Sequence, residues 1–285
     1  MALLAGVALL LGACGGASRS ANEPAPAPSL VLVTNGAEPR QVLRFAPPLH
    51  VPETYELTVK TRINNTFTNT VLETGHKDLD LPTTKFTIRA EATGATAAGE
   101  IDVRLETLDA GVLDDVIDPR VKAMTARQVA SLKGKRTSVR AKPSGEGTGF
   151  DSSAPSIRWP LFPDAPVGVG AEWRVVSSTT IDRIHWHIAA TYRLRELDEA
   201  RAVLDCDADM KADGQALSVE PNATTTLKSG SGHATATITV PLHGMVIDNE
   251  THTTTETNLL IVQGHLRITA TVLTDTISTV AHLHM

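Results

Sequence analysis

The chain has 285 residues and a mass of 30.3 kDa, and its 41% hydrophobic content is enough for one large core or two small ones. A formal net charge of −6 and a pI of about 5.9 exclude the basic patch or stripe of a nucleic-acid binder. An aromatic fraction of only 4% argues against a transmembrane barrel, which carries two aromatic girdles.

An apolar run from Ala2 to Leu11 opens the chain and closes on Leu11-Gly12-Ala13-Cys14. The run is far shorter than the roughly 20 residues a membrane-spanning helix needs. A leucine, two small residues and a cysteine resemble the lipobox of bacterial lipoprotein signal peptides, and the resemblance covers only these first residues. It implies cleavage after Ala13 and transfer of a diacylglyceryl group to the Cys14 thiolate, which then becomes the N-terminal residue. Acyl chains such as palmitate, each methylene contributing about 0.8 kcal/mol when buried, would anchor the protein to a membrane of the cell envelope. Gly15, where inner-membrane lipoproteins of enteric bacteria carry aspartate, favours the outer membrane. Only Met1 precedes the run, without the usual Lys or Arg, which points to a start upstream of Met1.

Residues 1–13 are thus read as a signal peptide and 14–29 as a tether. Gly15-Gly16-Ala17-Ser18 is flexible and Glu23-Pro24-Ala25-Pro26-Ala27-Pro28 stiff and extended. With Cys14 carrying lipid, Cys206 is left alone and no intrachain disulfide is expected.

Residues 30–158 form a first β half. Leu30 to Val33 predicts a strand closed by Asn35-Gly36, and Val42 to Phe45 a second, closed by Pro47-Pro48. Tyr55, Leu57, Val59 and Ile63 alternate with Glu56, Thr58, Lys60 and Arg62, predicting a half-buried strand that Asn64-Asn65 ends. Phe86, Ile88, Ala90 and Ala92 predict the next apolar face. Ile101, Val103 and Leu105 predict its hairpin partner, joined through Thr93 to Gly99. A single helix is predicted over about 119–133, capped by Asp118, led by Pro119 and stopped by Gly134. Its apolar stripe is Val121, Met124, Gln128 and Leu132, thin enough for a helix lying on a sheet or in a barrel mouth. Arg136 to Ala141 is a further strand, broken by Pro143-Ser144-Gly145.

Residues 159–171 are a Pro/Gly-rich connector and 172–285 a second β half. Trp173, Val175 and Ile181 share one strand face. The connector and Trp173 echo Pro47, Pro48 and Pro52 ahead of Tyr55, which leaves two readings open, a divergent duplication or a long loop inside one sheet. The cleanest hairpin follows. Ile184, Trp186, Ile188, Ala190, Tyr192 and Leu194 oppose Ala202, Leu204, Cys206, Ala208 and Met210 across a turn near Asp198-Glu199. One face is core and the other wet, and Cys206 is a buried small hydrophobe. His233 to Val240, Met245 to Val262 and Leu266 to Val280 read as long Thr-rich strands, with Gln263-Gly264 a turn.

The wet face of that hairpin carries the one constellation with chemical potential. Placing apolar on apolar sets the row of His185, His187, Arg193 and Arg195 against Asp205, Asp207 and Asp209. Two imidazoles with a carboxylate across the strand are the donors of a zinc or copper site. Cross-strand salt bridges, each worth under about 1 kcal/mol, are the plainer reading, and it is preferred. His282 and His284 form a weaker pair at the chain end. The Asp205-x-Asp207-x-Asp209 series fails as a calcium loop because Met210 stands at the glycine position and Ala216 at the bidentate glutamate position. Gly-x-Ser-x-Gly, His-Glu-x-x-His and P-loop patterns are absent from the sequence.

The fold expected is mainly β, a curved antiparallel sheet or incomplete β-barrel with one α-helix. At the level of architecture it resembles the open barrels of lipoprotein-carrier and lipid-transfer proteins. The expected function is that of a non-enzymatic envelope lipoprotein binding a lipid, a peptide or a partner protein, with no catalytic residue, metal or cofactor assigned. A hydrolase or metal-binding protein using the His/Asp site, and a purely structural surface lipoprotein, stay open as alternatives.

Overall fold

The computed structural model describes residues 27–69, 74–113, 118–148, 159–181, 183–220, 223–245 and 248–283. The first half holds β1 (Ser29–Thr34), β2 (Pro52–Asn69), β3 (Thr74–Asp80), β4 (Thr84–Ala95), β5 (Ile101–Val112), α1 (Pro119–Ala130), β6 (Arg136–Ala141) and β7 (Gly147–Thr148). The second half holds β8 (Glu172–Ile181), β9 (Ile184–Leu197), β10 (Arg201–Ala212), β11 (Gln215–Glu220), β12 (Ala223–Pro241), β13 (Asp248–Gln263) and β14 (Leu266–His282). They form one open 14-stranded antiparallel sheet in the order β1-β8-β9-β10-β12-β13-β14-β2-β4-β5-β6-β7, with β11 added to β12 and β3 to β2. The two halves are stitched together twice, where β1 joins β8 and where β14 joins β2.

Alternation sets which side of each strand is buried, and the predicted faces hold. Tyr55, Leu57 and Val59 on β2, Phe86, Ile88, Ala90 and Ala92 on β4, and Ile101, Val103 and Leu105 on β5 are all buried. So are the predicted apolar residues of β8 and, Ile184 excepted, of the β9–β10 hairpin, and all belong to one hydrophobic cluster.

Several boundaries differ from the sequence reading. β2 does not stop at Asn64-Asn65 but runs to Asn69, because Asn65, Phe67 and Asn69 pair with Val272, Ala270 and Ile268 of β14. Ladder hydrogen bonds belong to the backbone, so a long partner carries a strand past polar side chains. β3 and β11, which lack a strong apolar alternation, are held against β2 and β12 in the same way. β13 begins at Asp248 rather than Met245. Val42 to Phe45 is no strand. In place of a ladder there is a Gln41–Val167 bridge just before it and a Phe45 N–H bond to the Pro143 carbonyl at 2.8 Å. The prolines around it supply no donors for a ladder. Leu43 and Phe45 still point inward, with 1% and 4% exposure.

The helix has its predicted cap. The Asp118 side chain accepts the Arg120 N–H at 2.8 Å and Pro119 occupies the first turn. It ends at Ala130 rather than 133, in a turn that closes on Gly134 at φ +78°. Its buried stripe is Val121, Thr125 and Val129, while Met124 is 37% exposed. The i, i+4, i+8 row faces β5, which α1 packs against.

The two irregular connectors, 35–51 and 159–171, supply much of the filling. Trp159, Leu161, Phe162 and Val167 are buried in the common cluster. The Trp173 indole N–H donates to the Leu161 carbonyl at 2.8 Å, and that of Trp159 to the Met245 carbonyl at 3.0 Å. Trp173 stacks on Tyr192 with ring centroids 5.6 Å apart, and Phe45 tilts against Trp159 at 4.5 Å. The connectors approach their neighbours backbone to backbone. Gly145 has φ +86°, and a Cβ there would stand 2.1 Å from the Pro160 carbonyl oxygen.

Replacing Gly145 by Ala is expected to cost about 2–3 kcal/mol through the strained φ and the contact. Trp173→Ala is expected to cost about 3–5 kcal/mol. Both are read from urea unfolding midpoints at unchanged slope.

Candidate functional site

The site begins with a turn. Asp198 Oδ1 accepts the backbone N–H groups of Ala200 and Arg201, both at 2.8 Å, closing the β9–β10 hairpin. These two donors hold the Asp198 carboxyl below the usual aspartate range. The turn fixes the register: Leu204 pairs with Leu194, Cys206 with Tyr192, Ala208 with Ala190 and Met210 with Ile188. An irregularity between Val203 and Leu204 shifts the register by one residue, so that Asp205 lies directly across from Arg193 and not from Leu194.

On the wet face this register separates what the sequence reading had put together. Asp205 meets the arginines, with Arg193 directly across the strand and Arg195 Nη1 at 3.2 Å. Asp207 lies opposite Thr191, Asp209 opposite Ala189, and His187 opposite Lys211. His185 and His187 sit edge to face with ring centroids 5.0 Å apart. His187 Nδ1 shares a hydrogen bond with Ser178 Oγ at 3.1 Å, and the His185 backbone N–H donates to Gln215 Oε1 at 3.0 Å. The hairpin reaches these histidines only at its open end, beyond the aspartates. Among the described residues no group of three or more His, Cys, Asp or Glu is placed to hold a metal ion. Cys14, Ala13 and His284 lie outside the described residues, and His282 donates its backbone N–H to Asp248 Oδ1 at 2.7 Å.

The aspartates instead meet histidines that the sequence reading had left unassigned. His233 of β12 is 3.3 Å from Asp209 and 3.6 Å from Asp207, and His252 of β13 is 2.6 Å from Asp275 of β14. Continuing the alternation through β12 and β13 puts His233 and His252 on the wet face. That signal was present, but pairing β10 with β12 requires a connection through β11 that no local pattern announces.

Registered rows run across this face. Glu172, Arg193, Asp205, Thr237 and Glu250 form one, and Arg174, Thr191, Asp207, Thr235 and His252 the next. Short threonines flanked by long charged residues leave an open groove of about 640 Å³ along both rows. Glu172 bonds Arg193 at 3.3 Å, and Thr237 donates to Asp205 at 3.4 Å. Glu172, Asp205, Asp207 and Glu250 outnumber the cationic Arg193 in the lining, so the groove is acidic. Such an arrangement is suited to holding a polar or cationic partner by screened ion pairs and hydrogen bonds.

In comparisons with known proteins, the chain matches no protein-family model and no curated protein.

Because the Asp198 carboxyl is depressed, its support of the hairpin is present above the unfolded value of about 3.9 and is lost as pH falls through the lower folded value. A carbon-13 titration of the Asp198 carboxyl should give a midpoint below that of Glu/Asp model peptides. Calorimetric titration with micromolar Zn²⁺ should give no saturable heat, since His185 and His187 lack a carboxylate across the strand.

Proposed function

We propose that the protein is a non-enzymatic lipoprotein of the bacterial envelope, anchored through acylated Cys14 and favouring the outer membrane. Its β body binds a lipid, a peptide or a partner protein there. The observation that carries this reading is the order of features along the chain. A lipobox at Leu11 to Cys14 is followed by a Gly- and Pro-rich spacer, and the first strand begins only at Ser29. An extended Pro-rich spacer adds about 3.1 Å per residue, so the lipid would hold a separate folded body away from the bilayer. The groove on the wet face supports a binding role. Three of its carboxylates, Glu172, Asp205 and Asp207, lie within ion-pair distance of Arg193, Arg195 and His233, and with Glu250 they keep the groove acidic.

Metabolic labelling with an alkyne palmitate in a bacterial host tests the anchor. The wild-type chain should take the label and sediment with membranes. Cys14→Ala should lose the label and move to the soluble fraction. A wild-type chain that is unlabelled and keeps residues 1–13 by intact mass would overturn the reading.

A further inference from the structure

β1 ends the sheet on one side. Its sequence, Ser29-Leu30-Val31-Leu32-Val33-Thr34, holds no charge, proline or glycine. Leu30 and Leu32 pack against the core, while Val31 and Val33 face out. On one side β1 pairs with β8, Ser29 opposite Val176 through Leu32 opposite Trp173, before the register shifts at Val33. No strand follows on the other side. Among the described residues, the one hydrogen bond that β1 makes outside this ladder runs from the Thr34 hydroxyl to the Gly170 carbonyl, at 3.2 Å. Alternate residues of an antiparallel strand aim their N–H and C=O away from the partner, so β1 presents unpaired backbone groups along its free side.

The side chains of this edge are as unguarded as its backbone. Val31 is 62% exposed, Val33 50% and, on the next strand, Val176 54%; among the described residues only Leu113, at 54%, is an equally exposed large hydrophobe. Val31 lies opposite Arg174 and Ser29 opposite Val176, which makes Val31 and Val176 diagonal neighbours. Other strands with a free side carry the devices that keep an edge solitary. β3 bears His76, Lys77, Asp78 and Asp80, β7 is only Gly147 and Thr148, and β11 is broken at its middle by a register shift between Ala216 and Ser218. In β1 the shift comes late, and Ser29 to Leu32 run regularly.

An uncharged, β-branched edge is a template for one more strand. The chain just ahead of β1 does not supply it, since Pro24, Pro26 and Pro28 lack the N–H that a ladder requires. A second β1 does. About a two-fold axis at Val31, antiparallel copies set Val31 against the partner's Val31 on the outer face and Leu30 against the partner's Leu32 on the inner one, apolar on apolar on both. We propose that β1 is a homodimer contact, through which two copies of this chain join edge to edge into one continuous sheet.

The chain that precedes the body fits this arrangement. Ser29 would lie opposite the partner's Val33, an offset between the two strand starts of about 13 Å at about 3.3 Å per residue. The spacer from Cys14 to Pro28 reaches up to about 45 Å at about 3.1 Å per residue. Both anchors proposed above therefore reach one bilayer, and confinement there raises the effective concentration of each copy for the other. A single strand pair is smaller than the roughly 1,200 Å² of a stable interface, so the dimer is reversible. The pairing goes beyond the function proposed above and needs the lipid for its strength in membranes, not for its geometry.

The test is sedimentation velocity of the full chain in a non-ionic detergent across about 1–100 μM, the range of a small, transient interface. The wild-type chain should pass from monomer to dimer. Val31→Lys and Val31→Asp, made at an exposed position, should keep the urea midpoint and each weaken the dimer at least about tenfold. Mixing the two should restore it, because Lys then faces Asp across the axis. Val31→Cys should form an intermolecular disulfide on mild oxidation, since directly opposite residues stand about 4.5–5.5 Å apart, whereas Val176→Cys, equally exposed but one strand inward, should not. The wild-type chain is the blank for Cys14 and for the buried Cys206. If a charged variant fails to fold, the two cysteine variants alone decide. A wild-type chain monomeric throughout, a dimer untouched by the charged variants, no rescue on mixing, or Val176→Cys linking as readily as Val31→Cys would each overturn the proposal. So would a Val31→Cys cross-link in host membranes to a different protein in place of a second copy.

Discussion

The Trp173 indole N–H bound to the Leu161 carbonyl, with the parallel bond from Trp159 to Met245, is the constraint on which the body depends. A curved open sheet leaves its inner face needing cover, and here the cover is two irregular, proline-rich connectors. Such segments offer few backbone donors of their own, and their carbonyls must be satisfied once buried. Tryptophan solves both needs, bringing a large apolar surface and one donor to the same place. The contacts around it follow: Trp173 stacked on Tyr192, Phe45 against Trp159, and Gly145 close under the Pro160 carbonyl.

With the connectors in place, the sheet is covered unevenly. The faces of β4, β5, β8 and β9 are filled by Phe86, Ile88, Leu105, Trp173 and Tyr192. The central strands β12, β13, β14 and β2 bury Thr61, Thr251, Thr253, Thr276, Ser278 and Ala234 among apolar residues such as Leu57, Val59, Ile238 and Val280. Threonine keeps strand propensity while adding a hydroxyl. The outer face has the converse character, with rows of paired Asp, Arg and His that share charge across strands at little net gain in stability.

Much of the body was legible because alternation is a local property. Tyr55-x-Leu57-x-Val59 and Trp186-x-Ile188-x-Ala190-x-Tyr192 declare their buried faces without reference to a partner. The Asp118-Pro119 cap and Gly36, Gly134 and Gly264 likewise mark turns and ends by their own φ requirements. The reading broke down where a partner decided. Asn64-Asn65 looks like an ending, yet β14 and β3 pair with it on either side. Met124 looks like a core residue of the helix, yet the face turned to β5 is the one carrying Thr125 and Val129.

The candidate sites divide in the same way. Sequence alone determined the buried place of Cys206, the wet face holding Asp205, Asp207 and Asp209, and the mainly β class, with one helix among the described residues. It did not determine which histidine meets which aspartate. His185 and His187 share a strand face with Arg193, but the hairpin turn at Asp198 fixes a register that carries them past the aspartates, and His233 arrives from β12. Which side a residue faces follows from a period of two along its own strand, whereas what it faces depends on strand order and register. Those were decided only when backbone pairing and buried tryptophans brought distant segments together.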